Sequence, residues 1–356
     1  MVTVDILPDK YKEMTDDELR GIIESKKSEF GSRLCILGHY YQQDAIIDFA
    51  DHQGDSFQLA KTGSEIDAEY IVFCGVHFMA ESSVVLGKEG QRVFLPDMDA
   101  GCPLADFATI DQVKVAWNEL NNLGLAGKFI PITYMNSSAA MKAFCGENGG
   151  TVCTSSSAAR AFDWAFNQNK RIFFFPDENL GKNTALSHDV SSEDIVTWDP
   201  YKKHGGLDDV ALEKARVIVW KGYCHVHTLF TVEHVEDVRE EHQGCQVVVH
   251  PECTPEVVAL ADGNGSTAFL KNYVEDAKEG STIIVGTEIN MVARLAKQNL
   301  EKRILPLARS LCPNMFKIST ADLAWTLDKL GEVNEVFVDP EIAKGARVAL
   351  NRMLSI

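Results

Sequence analysis

Short apolar runs alternate with longer amphipathic stretches along most of the chain. The apolar runs are bounded by Gly, Pro or polar residues, and their continuous hydrophobic character is typical of strands buried on both faces. Nine such runs occur, at 33–37, 70–74, 93–95, 129–132, 171–175, 217–220, 246–249, 282–285 and 303–305. Amphipathic stretches at 111–123, 158–167, 256–261 and 290–300 predict helices. This alternation predicts an α/β fold with parallel sheets covered by helices.

The N-terminal segment carries the signals of a helix with defined ends. Thr15 can cap a first turn that contains Asp16, Asp17 and Glu18, where negative side chains interact favourably with the helix dipole. Gly31 stands after the last turn, a position at which glycine is favoured. These residues predict a helix that ends just before Gly31.

Polar residues at the predicted strand ends form a weak internal repeat. Each of three blocks contains a polar strand end, then a hydroxyl group, then a cysteine near the end of the block. In the first block these features lie at 39–41, Ser56 and 101–102; in the second at 134–136, 153–156 and 222–224; and in the third at 250–252, 265–267 and 311–313. Spacing alone is equally compatible with coincidence. If the repeat is real, three small α/β units surround a pseudo-threefold axis, and their strand carboxyl ends face one shared site.

Composition and charge narrow the class of protein. The 356 residues include 52 acidic and 34 basic ones, which gives a formal net charge of −18 and argues against a nucleic-acid partner. With 45% hydrophobic and 24% charged residues, the chain has the composition of a soluble globular protein. It contains no long apolar run and does not begin with a secretion signal, so we expect a cytoplasmic location and no membrane partner.

The nine cysteines argue against a disulfide framework; most are expected to be free, buried thiols, and a few could bind a metal. No Cys-x-x-Cys pair is present, which argues against zinc ribbons and thioredoxin-type motifs. Cys35 and Cys74 lie inside apolar strand runs and are expected to be core residues. Cys102, Cys224 and Cys312 instead lie in predicted loops after strands, one in each block. Three such thiolates suit an iron–sulfur cluster, copper(I) or zinc.

Other polar residues at the strand ends could carry out proton transfer and anion binding. His39, His227 and His250 could move protons, and Tyr41 and Glu252 could act as acid or base. Hydroxyl groups in the same loops could hold carboxylates or phosphate. The residues themselves leave open which ligand is bound.

Together, the motifs resemble those of the quinolinate synthase family from about Cys35 to Thr320. The resemblance depends on many short segments in the expected order: 38–42, 54–56, 73–81, 96–97, 100–102, 134–137, 153–155, 224–227, 250–253, 265–267, 286–288 and Cys312. It implies a transferase of NAD biosynthesis that condenses iminoaspartate with dihydroxyacetone phosphate to quinolinate, phosphate and two waters. It also implies three similar three-layer αβα units around a pseudo-threefold axis, with the active site at the centre.

The resemblance assigns roles residue by residue. One 4Fe–4S cluster per chain would be bound by Cys102, Cys224 and Cys312, and its open iron would act as a Lewis acid. Tyr41, His227 and Glu252 would be catalytic. The substrate site would be lined by His39, Ser56, Tyr134, Asn136, Ser155, His250, Glu252 and Thr267.

The resemblance also suggests domain boundaries and partners. The units would span 1–108, 109–228 and 229–319, with C-terminal helices in 320–356 packed on the first. An L-aspartate oxidase or dehydrogenase would supply iminoaspartate, and iron–sulfur assembly machinery would supply the cluster. Two departures from the family pattern are visible: no extra cysteines precede Cys312, so redox regulation is not expected, and the segment 146–150 lengthens the approach to Ser155.

Two other functions are compatible with the same residues. A non-catalytic iron–sulfur sensor would use the cluster to report iron or oxygen, although the chain offers no basic partner surface. A zinc or iron aldolase would use the same strand ends without a cluster.

Overall fold

The computed structural model describes residues 6–356 and contains three parallel sheets flanked by helices. By compactness the chain divides into two units. The first runs to Cys102 and includes Leu311–Asp339, and the second comprises Pro103–Ser310 and Pro340–Ile356. The first unit contains one sheet and the second contains two.

The first sheet has four strands in the order β2-β1-β3-β4. Every strand pair is parallel, and β1 is paired along its length with β3. The elements are α1 (Asp9–Lys12), α2 (Asp16–Phe30), β1 (Leu34–His39), α3 (Asp44–Ile47), β2 (His52–Gly54), α4 (Ser56–Glu65), β3 (Tyr70–Cys74), α5 (His77–Leu86) and β4 (Arg92–Phe94).

The second sheet has five strands in the order β6-β5-β7-β9-β8, again all parallel. Its elements are α6 (Pro103–Asp106), α7 (Ile110–Asn122), β5 (Phe129–Tyr134), α8 (Ala139–Glu147), β6 (Thr151–Cys153), α9 (Ala158–Phe166), β7 (Arg171–Phe175), α10 (Glu178–Ser187), β8 (Ile195–Trp198), α11 (Asp209–Lys214) and β9 (Val217–Trp220).

The third sheet has four parallel strands in the order β11-β10-β12-β13. Two further helices follow it near the end of the chain. The elements are α12 (Val232–Glu241), β10 (Gln246–Val249), α13 (Pro255–Leu260), β11 (Gly263–Asn264), α14 (Thr267–Asp276), β12 (Thr282–Gly286), α15 (Ile289–Gln298), β13 (Arg303–Pro306), α16 (Thr320–Asp328) and α17 (Pro340–Ser355).

All three sheets share one strand order, which confirms the predicted α/β class and gives the internal repeat a structural basis. In each sheet the first strand in sequence lies between the second and the third, and a later strand, β4, β9 or β13, lies on the other side of the third. The second sheet differs only by β8, an added edge strand beyond β9. Ligands of open parallel sheets bind at the carboxyl ends beside such a reversal of strand order.

The predicted N-terminal helix is confirmed as α2. Thr15 accepts a hydrogen bond from the backbone of Glu18, and the Glu18 side chain accepts one from the Thr15 backbone. The helix ends at Gly31, whose φ of 52° is unfavourable for residues with a Cβ atom. α2 packs on α16, which also belongs to the first unit.

The last helix departs from the predicted domain assignment. α17 packs on α8 and β6 of the second sheet, not on the first unit. A Cβ atom on Gly146 of α8 would lie 2.1 Å from the carbonyl oxygen of Gly345 in α17, so glycine is required for this close approach. Among the described helices, none is both long and apolar enough to cross a membrane.

We predict that Gly146→Ala destabilises the protein. The new methyl group meets backbone rather than a movable side chain, so α17 must shift, and we expect a loss of about 1–3 kcal/mol in the free energy of unfolding. Denaturant titration measures this loss. Gly21→Ala is the control, because this helical position in α2 is open and alanine should stabilise it by up to about 1 kcal/mol. Equal stability of Gly146→Ala and the wild type would contradict the packing argument.

Candidate active site

The first strand of each sheet presents two predicted site residues at equivalent positions. His39 ends β1, Tyr134 ends β5, and His250 directly follows β10. Two positions further along the chain are the other predicted residues, Tyr41, Asn136 and Glu252. The six residues therefore occupy two equivalent positions in each of the three sheets.

The second strand of each sheet is followed by a predicted substrate-binding hydroxyl. Ser56 is the first residue of α4, Ser155 lies in the turn between β6 and α9, and Thr267 is the first residue of α14. The side chain of Thr267 is buried, and its Oγ1 has no hydrogen-bond partner among the described residues. A buried hydroxyl of this kind is suited to a ligand, because an unsatisfied polar group in the interior is costly.

The predicted cluster cysteines follow the strands β4, β9 and β13. Cys102 and Cys312 belong to the first unit and Cys224 to the second. Within the first unit, Lys317 donates a hydrogen bond of 2.8 Å to the carbonyl of Asp99, which ties the segments beside the two cysteines together.

The same three cysteines differ from the other six in exposure. Cys102, Cys224 and Cys312 are half-buried, whereas the rest are buried. Burial raises the pKa of the Cys35 and Cys74 thiols to about 12 and also raises those of Cys145, Cys153, Cys245 and Cys253. Three accessible thiols on irregular loops suit a soft metal or an iron–sulfur cluster better than thiols fixed in strands.

Glu252 links two histidines in the interior of the second unit. Its Oε2 lies 2.7 Å from Nδ1 of His227 and 3.2 Å from Nδ1 of His250. The two imidazole rings are stacked, with centroids 4.3 Å apart, and all three side chains are at most 3% exposed. The sulfur of Cys224 completes a compact group, since ligand atoms of Cys224, His227 and Glu252 lie within 4.8 Å of one another.

The short contact with Glu252 favours one tautomer of His227. A carboxylate only accepts, and Nδ1 of His227 lies 2.7 Å from Oε2 of Glu252, so a proton on Nδ1 suits this contact. In the neutral ring, Nε2 then accepts from the hydroxyl of Thr287, 3.2 Å away. Burial, followed by the neighbouring His250, lowers the pKa of His227 to about 4 and keeps this ring neutral at neutral pH.

Burial alone would raise the pKa of Glu252, but the opposite shift results. Electrostatic interaction with the His250 and His227 imidazoles, together with their ring N–H groups, holds the pKa of this carboxyl well below its usual range. Glu252 is therefore a buried carboxylate at neutral pH, stabilised mainly by two imidazole groups.

His250 has two sets of hydrogen-bond partners. Its Nδ1 lies 3.2 Å from Oε2 of Glu252 and 3.3 Å from the Glu252 backbone nitrogen, and its Nε2 lies 3.2 Å from Oγ of Ser155. One tautomer donates from Nδ1 to the carboxylate and accepts from Ser155; the other accepts the backbone N–H and donates to Ser155. Both tautomers are satisfied, which suits a residue that moves a proton.

The first unit repeats part of this arrangement. The backbone N–H of Tyr41 donates to Nδ1 of His39 at 3.1 Å, as the N–H of Glu252 can to His250. The His39 and Tyr41 rings meet edge to face at 4.8 Å. With Nδ1 as acceptor, Nε2 of neutral His39 carries the proton and is a donor suited to an anion.

A buried lysine, which the sequence motifs did not reveal, supports the loop after β5. The ammonium group of Lys142 is wholly buried and donates to the carbonyl of Ser137 at 2.7 Å. Ser137 in turn donates to the carbonyl of Tyr134 and accepts from Thr133, so the segment that carries Asn136 is rigidly held. A lysine is ordinarily a surface residue, so the sequence alone does not identify Lys142 as buried.

Comparison with known proteins shows the family to which the chain belongs. The family model for quinolinate synthetase A protein matches residues 21–355. The chain belongs to this family. It is 48% identical to the quinolinate synthase of Acidobacterium capsulatum, over 98% of this chain and 95% of that protein. Its identity to the enzyme of Corynebacterium glutamicum is 45% (99% and 91% covered), and to that of Bacillus subtilis 44% (99% and 97%).

This quinolinate synthetase A family member brings some of the predicted residues into contact, and the roles of all of them stay predictions. Ser155, His250, Glu252, His227 and Cys224 form one connected group in the second unit. His39 and Tyr41 are in contact within the first unit. The other predicted residues are Ser56, Tyr134, Asn136, Thr267, Cys102 and Cys312; each lies at or after the carboxyl end of a strand, and their roles stay predictions.

We predict that native thiol alkylation separates the two cysteine classes. In cluster-free, reduced protein, iodoacetamide at pH 8 should label Cys102, Cys224 and Cys312 at least tenfold faster than Cys35 or Cys74. With a pKa of about 12, about one thiol in ten thousand is ionised at pH 8, and burial hinders access further. Peptide mass spectrometry measures the rates. Similar rates in the denatured protein are the control, and early labelling of Cys74 in the folded protein would contradict the assignment.

Proposed function

We propose that this protein synthesises quinolinate for NAD biosynthesis by condensing iminoaspartate with dihydroxyacetone phosphate, with release of phosphate and two waters. Membership of the quinolinate synthetase A family is the observation that carries the proposal. The connected group of Ser155, His250, Glu252 and His227 supports it, because condensation, ring closure and dehydration all require proton transfer.

We further propose that Cys102, Cys224 and Cys312 bind a 4Fe–4S cluster. Half-buried thiols on irregular loops fit this role, whereas the other six are buried. When bound, a cluster with three protein ligands supplies an iron that can polarise a substrate oxygen as a Lewis acid. Cys224 lies beside His227 and Glu252, so the proposed ligand and the proposed acid–base groups belong to one site.

The substrates are anions, and a protein with a net charge of −18 cannot attract them over long distances. Local donors must therefore provide the affinity. The hydroxyls of Ser56, Ser155 and Thr267 and the ring N–H of His39 are such donors, positioned at strand ends and at the starts of helices. Backbone N–H groups at helix starts add further favourable interactions with carboxylates and phosphate.

Glu252 and its histidines are suited to proton transfer during the reaction. The Glu252 carboxylate stays charged and orients the two imidazole groups that can move protons, and the buried histidines shield it from water. His250 can pass a proton between Ser155 and Glu252, because its two nitrogens reach both groups. Tyr41 occupies the corresponding position in the first unit and is the proposed second acid–base group.

The chemistry of the substrate implies a supplier. Iminoaspartate hydrolyses readily, so an L-aspartate oxidase or dehydrogenase should produce it close in time to its use. Iron–sulfur assembly machinery should supply the cluster.

We predict quinolinate formation by cluster-containing protein under anaerobic conditions. The assay mixes the wild type with freshly generated iminoaspartate and dihydroxyacetone phosphate and measures quinolinate by chromatography. Glu252→Gln should lower kcat by a factor of about 10² to 10⁴, because it removes the carboxylate while retaining the shape. Exposed Glu279→Gln is the matched control and should retain full activity. If the wild type contains a full cluster but forms no quinolinate, the proposal is overturned. That result would instead support a non-catalytic iron–sulfur sensor.

We predict that Cys102→Ala, Cys224→Ala and Cys312→Ala each prevent cluster assembly. Cys35→Ala is the control, because this thiol lies inside β1 and should be dispensable for the cluster. Iron, acid-labile sulfide and visible absorption, measured on anaerobically purified protein, report assembly. Loss of the cluster in Cys35→Ala, or its retention in a ligand variant, contradicts the ligand set. Zinc or iron without sulfide in the wild type would instead support an aldolase.

A further inference from the structure

Asp177 is a buried carboxyl group to which the proposed reaction assigns no role. It directly follows Pro176 after β7 and caps α10, where its Oδ1 accepts the backbone N–H of Leu180 at 2.7 Å. The side chain is wholly buried. Its second oxygen, Oδ2, is enclosed and has no hydrogen-bond partner among residues 6–356.

Glu288, at the corresponding position in the third sheet, is an acidic helix cap with a structural role only. Glu288 follows β12 as Asp177 follows β7, is equally buried, and caps α15. Both of its carboxylate oxygens have partners, since Oε2 accepts the backbone N–H of Asn290 at 2.8 Å and Oε1 accepts the side-chain N–H at 3.0 Å. Asp177 uses only one oxygen for the cap and keeps the other available.

The helix that Asp177 caps is fastened to Glu252. The side-chain amide of Asn183, in the same helix, donates to the carbonyls of Pro251 and Cys253 at 2.8 Å each. These two residues flank Glu252 on both sides. Any change in the start of α10 is therefore transmitted to the backbone that positions the Glu252 carboxylate.

Glu252 also has an oxygen available. Its Oε2 serves both histidines, whereas its Oε1 is buried and without a partner in the described chain. Burial raises the pKa of Asp177 well above its ordinary value, and the negative charge of Glu252 raises it further. Two buried carboxyl groups that sense one another's charge are not both ionised, and Glu252 is the one with imidazole partners.

We propose that Asp177 is a positioning residue for Glu252, which it supports as a neutral hydrogen-bond donor of the same buried site. A protonated Oδ2 of Asp177 is a donor without an acceptor, and Oε1 of Glu252 is an acceptor without a donor. The two atoms make no direct hydrogen bond, so the proposed link between them is one enclosed water. The capped helix and Asn183 fix the Glu252 backbone, and the neutral Asp177 avoids a second buried charge. The inference rests on the proposed role of Glu252.

Three substitutions separate this role from simple helix capping. Asp177→Asn retains the cap and replaces O–H by N–H, so kcat and KM should stay within about threefold of the wild type. Asp177→Ser is also a good cap but is too short to provide the second donor, so kcat should fall at least tenfold with little change in KM, stability or cluster content. Asp177→Ala should lose both the cap and the donor. Full activity of Asp177→Ser would mean that Asp177 acts only as a helix cap. Inactivity of a folded, cluster-containing Asp177→Asn would mean that the negative charge of Asp177 is required. Either result overturns the proposal.

Infrared spectroscopy tests the proposal without an activity assay. The wild type should show the C=O stretching band of a protonated carboxyl group, shifted in D₂O and missing from Asp177→Asn. The band should move in Glu252→Gln, because this variant changes the partner of Asp177. If the band is absent or does not respond to Glu252→Gln, the inference about Asp177 fails, even when the protein forms quinolinate. If the band behaves as expected but the protein forms no quinolinate, only the proposed function fails.

Discussion

The buried carboxylate of Glu252 is the constraint on which the candidate site depends. A charge in the interior is stable only when it has hydrogen-bond donors, and this one obtains them from two stacked imidazoles on separate segments of the second unit. His227 follows β9 and Glu252 and His250 follow β10, so the two sheets of this unit must meet correctly for the charge to be tolerated. The same contacts between the two sheets are thus needed both for folding of the second unit and for the proposed chemistry of Glu252 and its histidines.

One strand order, used three times, explains why the polar residues lie at corresponding places. The first strand of each sheet is followed by a histidine or tyrosine and then, two residues later, by a tyrosine, an asparagine or a glutamate; the second is followed by a hydroxyl. The strands β4, β9 and β13 each lead to a cysteine on a loop. The three sheets carry different side chains at these positions, so a single architecture provides acid–base groups, anion-binding groups and thiols.

Continuous apolar runs predicted the central strands well, and β3, β7, β9 and β10 begin and end where their hydrophobicity does. The sequence did not reveal β2, β6, β8 and β11, because strands of two to four residues at sheet edges are too short to carry a pattern. The motifs identified Glu252 and both histidines, but not their contacts with one another, which depend on residues distant in sequence. Asn183, Thr287 and Lys142 have ordinary side chains in ordinary helices or loops, so only their three-dimensional neighbours identify them.

The position of α17 also has a consequence for the order in which the protein can fold during synthesis. The hydroxyl of Thr151 in β6 donates to the carbonyl of Ala349, 198 residues later in the sequence, and Arg352 donates to the carbonyl of Gly150. While the chain emerges from the ribosome, β6 and the Ser155 turn beyond it lack this support until the last helix is made. The second unit is therefore completed only by the end of the chain, and a nascent protein that stops before residue 340 has an edge strand without its cover.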